Sequence, residues 1–366
     1  MRKQSISVQA TTPVAATRSR VRTEMRLPSA FFFSTGVAIE LERVFTFRCL
    51  MPLLLLMVLP TIAWTQPSPP PQSRSADSYT IRVDVADVVL HPTVETRDGT
   101  PVSGLTKDNF QIYESGVLQR IKYFSHEDIP VTVGLVVDNS GSIRPKRPDI
   151  IAAAFAFARS SNPQDQMFVI NFNEHVSFGL PPGTMFTDQP EQLRAGLSRT
   201  RSEGQTALYD AIAAGFEQLK KGNRDKRVLI VISDGGDNTS KHSLAQIMAM
   251  AGRSDAMIYT MGIFDEEDGD QNPRVLKQLA KATGGEAFLP KTLQEVLPIC
   301  EHIARDIRNQ YMIAYVSTNV SQDGKYRKIQ VKAQAEGRER LFVRTRAGYY
   351  ALPKPQPSTA SQSSRP

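Results

Sequence analysis

Val131–Ser142 reads VTVGLVVDNSGS and joins two different chemistries. Val131, Val133, Leu135, Val136 and Val137 form an apolar, β-branched run with the length and composition of a strand buried on both faces. The run stops at Asp138 and is followed by Asn139, Ser140, Gly141 and Ser142, with Gly141 allowing the backbone to turn tightly. A core strand that ends in a carboxylate and two hydroxyls spaced two residues apart presents only hard oxygen donors, which is half of a Mg²⁺ site.

Working outward, buried-strand runs alternate with helical spacings. Strands are predicted at 131–138, 166–172, 175–179, 227–233, 256–263 and 286–289. Helices are predicted at 146–160, 190–199, 207–221, 241–252, 273–283 (ending on Gly284-Gly285) and 292–309. Such alternation implies an α/β fold with a doubly wound, mostly parallel sheet flanked by helices, over 129–310. In that fold class ligands bind beyond the carboxyl ends of the strands, near the switch in strand order. The strand at 227–233 runs into Asp234-Gly235-Gly236-Asp237-Asn238, and Glu203-Gly204-Gln205-Thr206 precedes the helix at 207. Asp138, Ser140, Ser142, Thr206 and Asp234 therefore fall on loops at one end of the sheet. Taken singly, Ser142 or Thr206 reads as a helix N-cap and Asp234 as a turn residue. Taken together, five oxygen donors at one edge point to a metal site.

The flanks read as β structure. Strands are predicted at 79–96, 110–113 and 118–124 before the α/β domain, and at 311–317, 326–333 and 341–346 after it. Neither set is large enough to stand alone. The expectation is a small β module in which 311–351 packs with 79–128 and the α/β domain is inserted between the halves. Residues 66–78 read as a linker, and 352–366 as a Pro/Ser/Gln-rich disordered tail.

Residues 1–65 hold eight Lys/Arg against three Glu, a surplus of five out of the formal net charge of +7. The rest of the chain is close to neutral and has no basic stripe interleaved with aromatics, so nucleic-acid binding is a poor reading. Cys49–Ala63 (CLMPLLLLMVLPTIA) follows Arg43 and Arg48 and has the length of a signal h-region; Pro52 and Pro60 and its shortness argue against a membrane span. Export to the periplasm, cell envelope or medium is expected, with an uncleaved N-terminal anchor as the alternative and the sole membrane contact. Residues 1–42 are long for an n-region, which a true start at Met25 or a later codon would explain. Cleavage would leave Cys300 alone, which excludes an intrachain disulfide and a cysteine metal site and leaves a small buried residue. The acidic stretch 265–270 (DEEDGD) lacks the glycine placement and terminal Glu of a 12-residue Ca²⁺ loop and reads as a solvated loop.

DNSGS at 138–142, Thr206 within QTALYDAI, and SDG at 233–235 together resemble the metal-ion-dependent adhesion site of von Willebrand factor type A domains. All five positions of that pattern are matched. Val102–Ile121 and Tyr326–Ala351 further resemble a bacterial exported group of such proteins, which extends the likeness to 79–351. The resemblance implies a non-enzymatic, metal-dependent protein-binding module. Mg²⁺, or Mn²⁺ in preference to Ca²⁺, would be held by Asp138, Ser140, Ser142, Thr206 and Asp234, with an Asp or Glu of a partner protein completing the coordination. Asp210, four residues after Thr206, is expected to hydrogen-bond the ligand residues from behind; its alternative is a surface Asp favoured by the helix dipole. Rival readings are a metal-dependent hydrolase or phosphatase, a chaperone-like partner of an AAA+ ATPase, and a structural module with an empty site. The five histidines form no catalytic motif with Ser140 or Ser142, and the apolar segment at 49–63 argues against a cytoplasmic role.

Overall fold

The computed structural model describes residues 87–264 and 271–351. The expectations for the apolar segment 49–63, the linker, the first residues of the 79–96 strand, the acidic stretch 265–270 and the C-terminal tail lie outside the described residues. In chain order the elements begin with β1 (Asp87–Leu90), β2 (Thr93–Glu95), β3 (Phe110–Glu114), β4 (Val117–Gln119), β5 (Ile121–Ser125) and β6 (Val131–Asp138). A 3₁₀ turn, Gly141–Lys146, leads into α1 (Arg147–Ser160), then β7 (Gln166–Phe172), β8 (Val176–Phe178), α2 (Pro190–Leu197) and α3 (Leu208–Leu219). Next come β9 (Lys226–Ser233), α4 (Leu244–Arg253), β10 (Met257–Gly262), α5 (Pro273–Thr283), β11 (Ala287–Phe288) and α6 (Val296–Arg308). The described chain ends with β12 (Met312–Val316), β13 (Tyr326–Ala333), β14 (Phe342–Arg344) and β15 (Gly348–Tyr350).

The α/β expectation holds. One sheet runs in the order β11-β10-β9-β6-β7-β8, parallel except at the antiparallel edge strand β8. Every residue of β6 is buried, as its unbroken apolar text requires. The chain leaves β6 toward β7 on one side and returns to β9 on the other, so the switch in strand order lies beside β6. Gly134 makes that packing fit, because a Cβ there would lie 2.3 Å from Phe168 Cζ and 2.7 Å from Leu229 Cδ2. Helix ends follow local chemistry. Asn272 caps α5, Pro273 opens it, and Gly284 closes it at φ +86°. α4 starts at Leu244, later than the predicted 241, on a Ser243/Gln246 capping box. The amides of Lys241 and His242 are drawn instead to the carboxylate of Asp210.

The flanking strands pair across the α/β domain: β1 and β5 flank β12, β3 pairs with β13, and β2 pairs with β14, all antiparallel. Two single strands expected from sequence are each divided. The 79–96 run breaks at His91-Pro92, where proline removes a ladder donor. Its two parts join β12 and β14 respectively. The 118–124 run breaks at Arg120, so that β4 stays in a hairpin with β3 while β5 crosses to β12. A second core forms around Leu90, Phe110, Ile112, Tyr311, Ile313 and Tyr315, drawing on both flanks. Within it Glu114 and Arg327 form a buried ion pair at 3.3 Å, and Glu114 also accepts from Tyr315, Ser317 and Tyr349.

The two cores meet at the end of α6. Asp306 is 1 % exposed and accepts from Thr93 Oγ1 (2.8 Å), Tyr259 OH (2.6 Å) and Arg344 (2.8 Å). Arg344 also bridges Glu95 and Glu286. A charge this deeply placed persists only when paired and hydrogen-bonded, and here strands from both flanks supply the partners.

Candidate metal centre

β6 delivers Asp138 fully buried at the carboxyl edge of the sheet. Its Oδ1 accepts the Ser140 amide at 2.8 Å and its Oδ2 accepts Ser233 Oγ at 2.7 Å. Burial pushes this carboxyl up to about 6; the Ser140 and Ser233 hydrogen bonds oppose the rise, and the neighbouring Asp234 adds to it. The turn at 138–142 therefore closes through the Asp138 carboxylate and does not depend on the glycine. Gly141 is outside the left-handed region, and a Cβ there would meet nothing within 4 Å, which corrects the role expected for it. The glycines under constraint are on the other two loops. Gly204 (φ +82°) would press a Cβ to 2.7 Å from Glu174 Oε2, and Gly235 (φ +82°) to 2.4 Å from the Asn272 carbonyl oxygen.

Three of the predicted donors converge through their side chains. Ser140 Oγ lies 3.2 Å from Ser142 Oγ, and Ser142 Oγ donates to Asp234 Oδ2 at 3.1 Å. Asp234 is nearly buried, with Oδ1 fixed by the Gly236 amide at 2.8 Å. None of these hydroxyls is used on a helix end, since Ser140 precedes the 3₁₀ turn without a side-chain cap bond and Ser142 faces Asp234. Adjacent oxygens of an octahedron with metal–oxygen bonds of about 2.0–2.1 Å are about 2.9 Å apart. A small dication could thus sit between these oxygens with shifts of a few tenths of an ångström, the neutral hydroxyls turning their protons outward. Among the described residues no cluster of three or more His, Cys, Asp or Glu is built to hold a metal. The convergence here is of two carboxylates and hydroxyls, a donor set that suits Mg²⁺ or Mn²⁺ with room left for water or another acid.

Thr206 reaches the same edge through its backbone. The Glu203 amide donates to the Asn139 carbonyl (3.0 Å) and the Gly141 amide to the Gly204 carbonyl (3.4 Å), tying the 203–206 loop to the 138–142 turn. Thr206 itself is buried, and the residue in the cap position of α3 is Ala207, so the threonine is not the N-cap that its place before a helix suggests. Asp210 turns toward the 241–242 segment. Burial raises its pKa, but the amides of Lys241 and His242 and the His242 ring at 2.6 Å outweigh that and hold it below the usual carboxylate value. Its partners lie on that segment and do not include the five predicted donors.

Sequence reasoning missed three supporting residues. Ser233 orients Asp138. Asn173 Nδ2 donates to the Glu203 carbonyl, and the Asn173 carbonyl accepts the Ala207 amide. Asp237 reads locally as a turn residue, yet its Oδ1 accepts the Tyr209 amide of α3 at 3.4 Å. Each acts on a partner 28 or more residues away, and although Ser233 lies within the SDG pattern, nothing local marks these roles.

Residues 133–236 match the family model of the von Willebrand factor type A domain. Among solved structures, the chain is similar to a von Willebrand factor type A protein from Catenulispora acidiphila at 13% identity, covering 64% of this chain and 71% of that one, with a TM-score of 0.44. It is similar to BatB from Bacteroides thetaiotaomicron at 17% identity, covering 48% and 98%, TM-score 0.38. It is also similar to manganese-loaded TRAP protein from Plasmodium vivax at 13% identity, covering 64% and 96%, TM-score 0.40. Comparison with curated proteins gives no match.

Proposed function

We propose that this chain, which carries a von Willebrand factor type A domain over residues 133–236, is a metal-dependent protein-binding module of an exported protein. Asp138, Ser140, Ser142, Thr206 and Asp234 hold one Mg²⁺ or Mn²⁺, and an Asp or Glu of a partner protein completes the coordination. The observation that carries this reading is the convergence of Ser140, Ser142 and Asp234, with oxygen separations of 3.2 and 3.1 Å, above the buried Asp138.

When bound, the ion supplies a fixed positive charge with an affinity for an incoming carboxylate. The chain sets how strong that attraction is. Asp138 has one oxygen committed to a backbone amide and the other to Ser233, which draws electron density away from the ion and keeps the carboxylate oriented. The hydroxyls contribute oxygens without charge, so the dication is not over-neutralised and a third anion remains attractive to it. Two features support binding over catalysis. The histidines on the surrounding loops face carboxylates, His242 Nδ1 lying 2.6 Å from Asp210 and His175 3.8 Å from Glu174. The serine hydroxyls bond to each other and to Asp234, and among the described residues no histidine is hydrogen-bonded to either of them. Export rests on the apolar segment at 49–63, and a reporter fused after residue 80 tests the compartment.

The direct test is isothermal titration of the purified protein with Mg²⁺ and Mn²⁺, wild type against Ser140→Ala, followed by a metal-dependent pull-down from the envelope fraction. Binding of metal and partner by wild type only is expected. A partner retained equally by both proteins would sink the mechanism, and metal-dependent turnover of phosphate esters or peptides that is lost in Asp138→Ala would replace it with the hydrolase reading.

A further inference from the structure

Thr206 and Asp234 lie on different loops, and one side chain spans the two. Asn238, four residues beyond Asp234, accepts the Thr206 amide on its Oδ1 at 2.9 Å, and its own amide donates to the Thr206 carbonyl at 3.1 Å. The exchange holds Thr206 on both sides. The same loop also caps the helix that follows. The first N–H groups of a helix have no partner within it, and Ala207 at the cap position of α3 has no side-chain acceptor to offer. Asp237 Oδ1 takes the Tyr209 amide at 3.4 Å, Ser240 Oγ takes the Asp210 amide at 3.1 Å, and Ser240 Oγ donates to Asp237 Oδ1 at 2.6 Å. The start of α3 is therefore capped from the Asp234 loop, across 28 to 32 residues of sequence.

We propose that Asn238 is a positioning residue of the metal centre, setting where the Thr206 hydroxyl stands relative to the Asp234 carboxylate. The inference rests on the reading of these residues as a metal site and adds how its two most distant members are brought into register. A site assembled from three loops binds an ion tightly only if the loops are already placed, and outer hydrogen-bond partners of metal ligands typically govern about 10–100-fold in affinity. Other ties on the 203–207 segment remain without Asn238, among them Glu203 to Asn139, Gly204 to Gly141, and Glu203 and Ala207 to Asn173. The lower end of that range is therefore expected.

The test compares wild type, Asn238→Ala and Asn238→Asp as full chains, by titration with Mn²⁺ and by amide hydrogen exchange at Thr206 in chelator. Asp keeps the side-chain acceptor and the backbone donor; Ala keeps only the donor. The expected result is about tenfold weaker Mn²⁺ binding in Asn238→Ala with faster exchange at Thr206, and affinity within about threefold of wild type in Asn238→Asp. Unchanged affinity in Asn238→Ala overturns the role of Asn238 while leaving the metal site standing, as does equal weakening in both variants. Failure of wild type to bind Mn²⁺ refutes the metal reading itself, and the positioning role with it.

Discussion

Asp138→Asn should stabilise the metal-free protein near neutral pH, and the size of the effect follows from where the carboxylate sits. Burial and the adjacent Asp234 push the Asp138 carboxyl from its ordinary 3.8 up to about 6. Between those values the folded protein holds a proton that the unfolded chain has released, so stability falls as pH rises through the window. About two pH units at 1.36 kcal/mol each amount to about 3 kcal/mol lost by neutrality. Asparagine carries no charge and keeps an acceptor for the Ser140 amide. It gives up the charged acceptor of Ser233, which offsets about 1 kcal/mol. The net gain near neutrality is then about 2 kcal/mol, or about 4–8 °C in Tm for a domain of this size, and it disappears near pH 4. Thermal or urea unfolding in chelator, wild type against variant at both pH values, measures the difference. Added Mg²⁺ should then raise the Tm of wild type and leave that of Asp138→Asn unmoved. A variant less stable than wild type in chelator at neutral pH, or a gain of the same size at both pH values, would refute the claim that the buried Asp138 charge strains the fold.

Three further outcomes are expected. Asp306→Ala should cost about 3–5 kcal/mol, because it leaves Arg344, Thr93 and Tyr259 without their shared acceptor; in urea unfolding, a double variant with Arg344→Met should lose less than the sum of the single variants, and strict additivity would mean that the two cores are not coupled there. His91 is buried beside Lys226 and Arg346, and burial together with those charges lowers its pKa to about 3, so stability is full above pH 6.5 and falls with pH down to about 3. His91→Gln should remove a loss of about 1.4 kcal/mol per pH unit in that window, read as the variant-minus-wild-type difference in acid unfolding because Asp138 titrates in the opposite sense. Gly134→Ala should cost about 1–3 kcal/mol by overpacking against Phe168 and Leu229, and Phe168→Leu in the same chain should recover part of it in thermal melts.

The alternation of buried strands with helices, and the placement of Asp138, Thr206 and Asp234 at one end of a parallel sheet, could be read from the amino-acid order. The reason is that hydrophobic periodicity is local and the rule for where α/β loops fall is general. The break at Pro92 was equally open to reading, because proline removes a ladder donor wherever it stands. The break at Arg120 was not, since nothing in Leu118–Phe124 tells β4 to stay with β3 and β5 to cross to β12, some 190 residues away. The same limit applies at the candidate site. Sequence named five candidate donors, but it read Asp237 as a turn residue, gave Asn238 no role and took Asp210 as a support for the ligands. Tertiary structure turns the first two back onto α3 and Thr206, and faces Asp210 to Lys241 and His242. Residue type and local spacing declare which groups can bind an ion or end a strand. Which distant amide a carboxylate or carboxamide serves depends on loop closure over tens of residues, and that is fixed only when the sheet has brought the loops together.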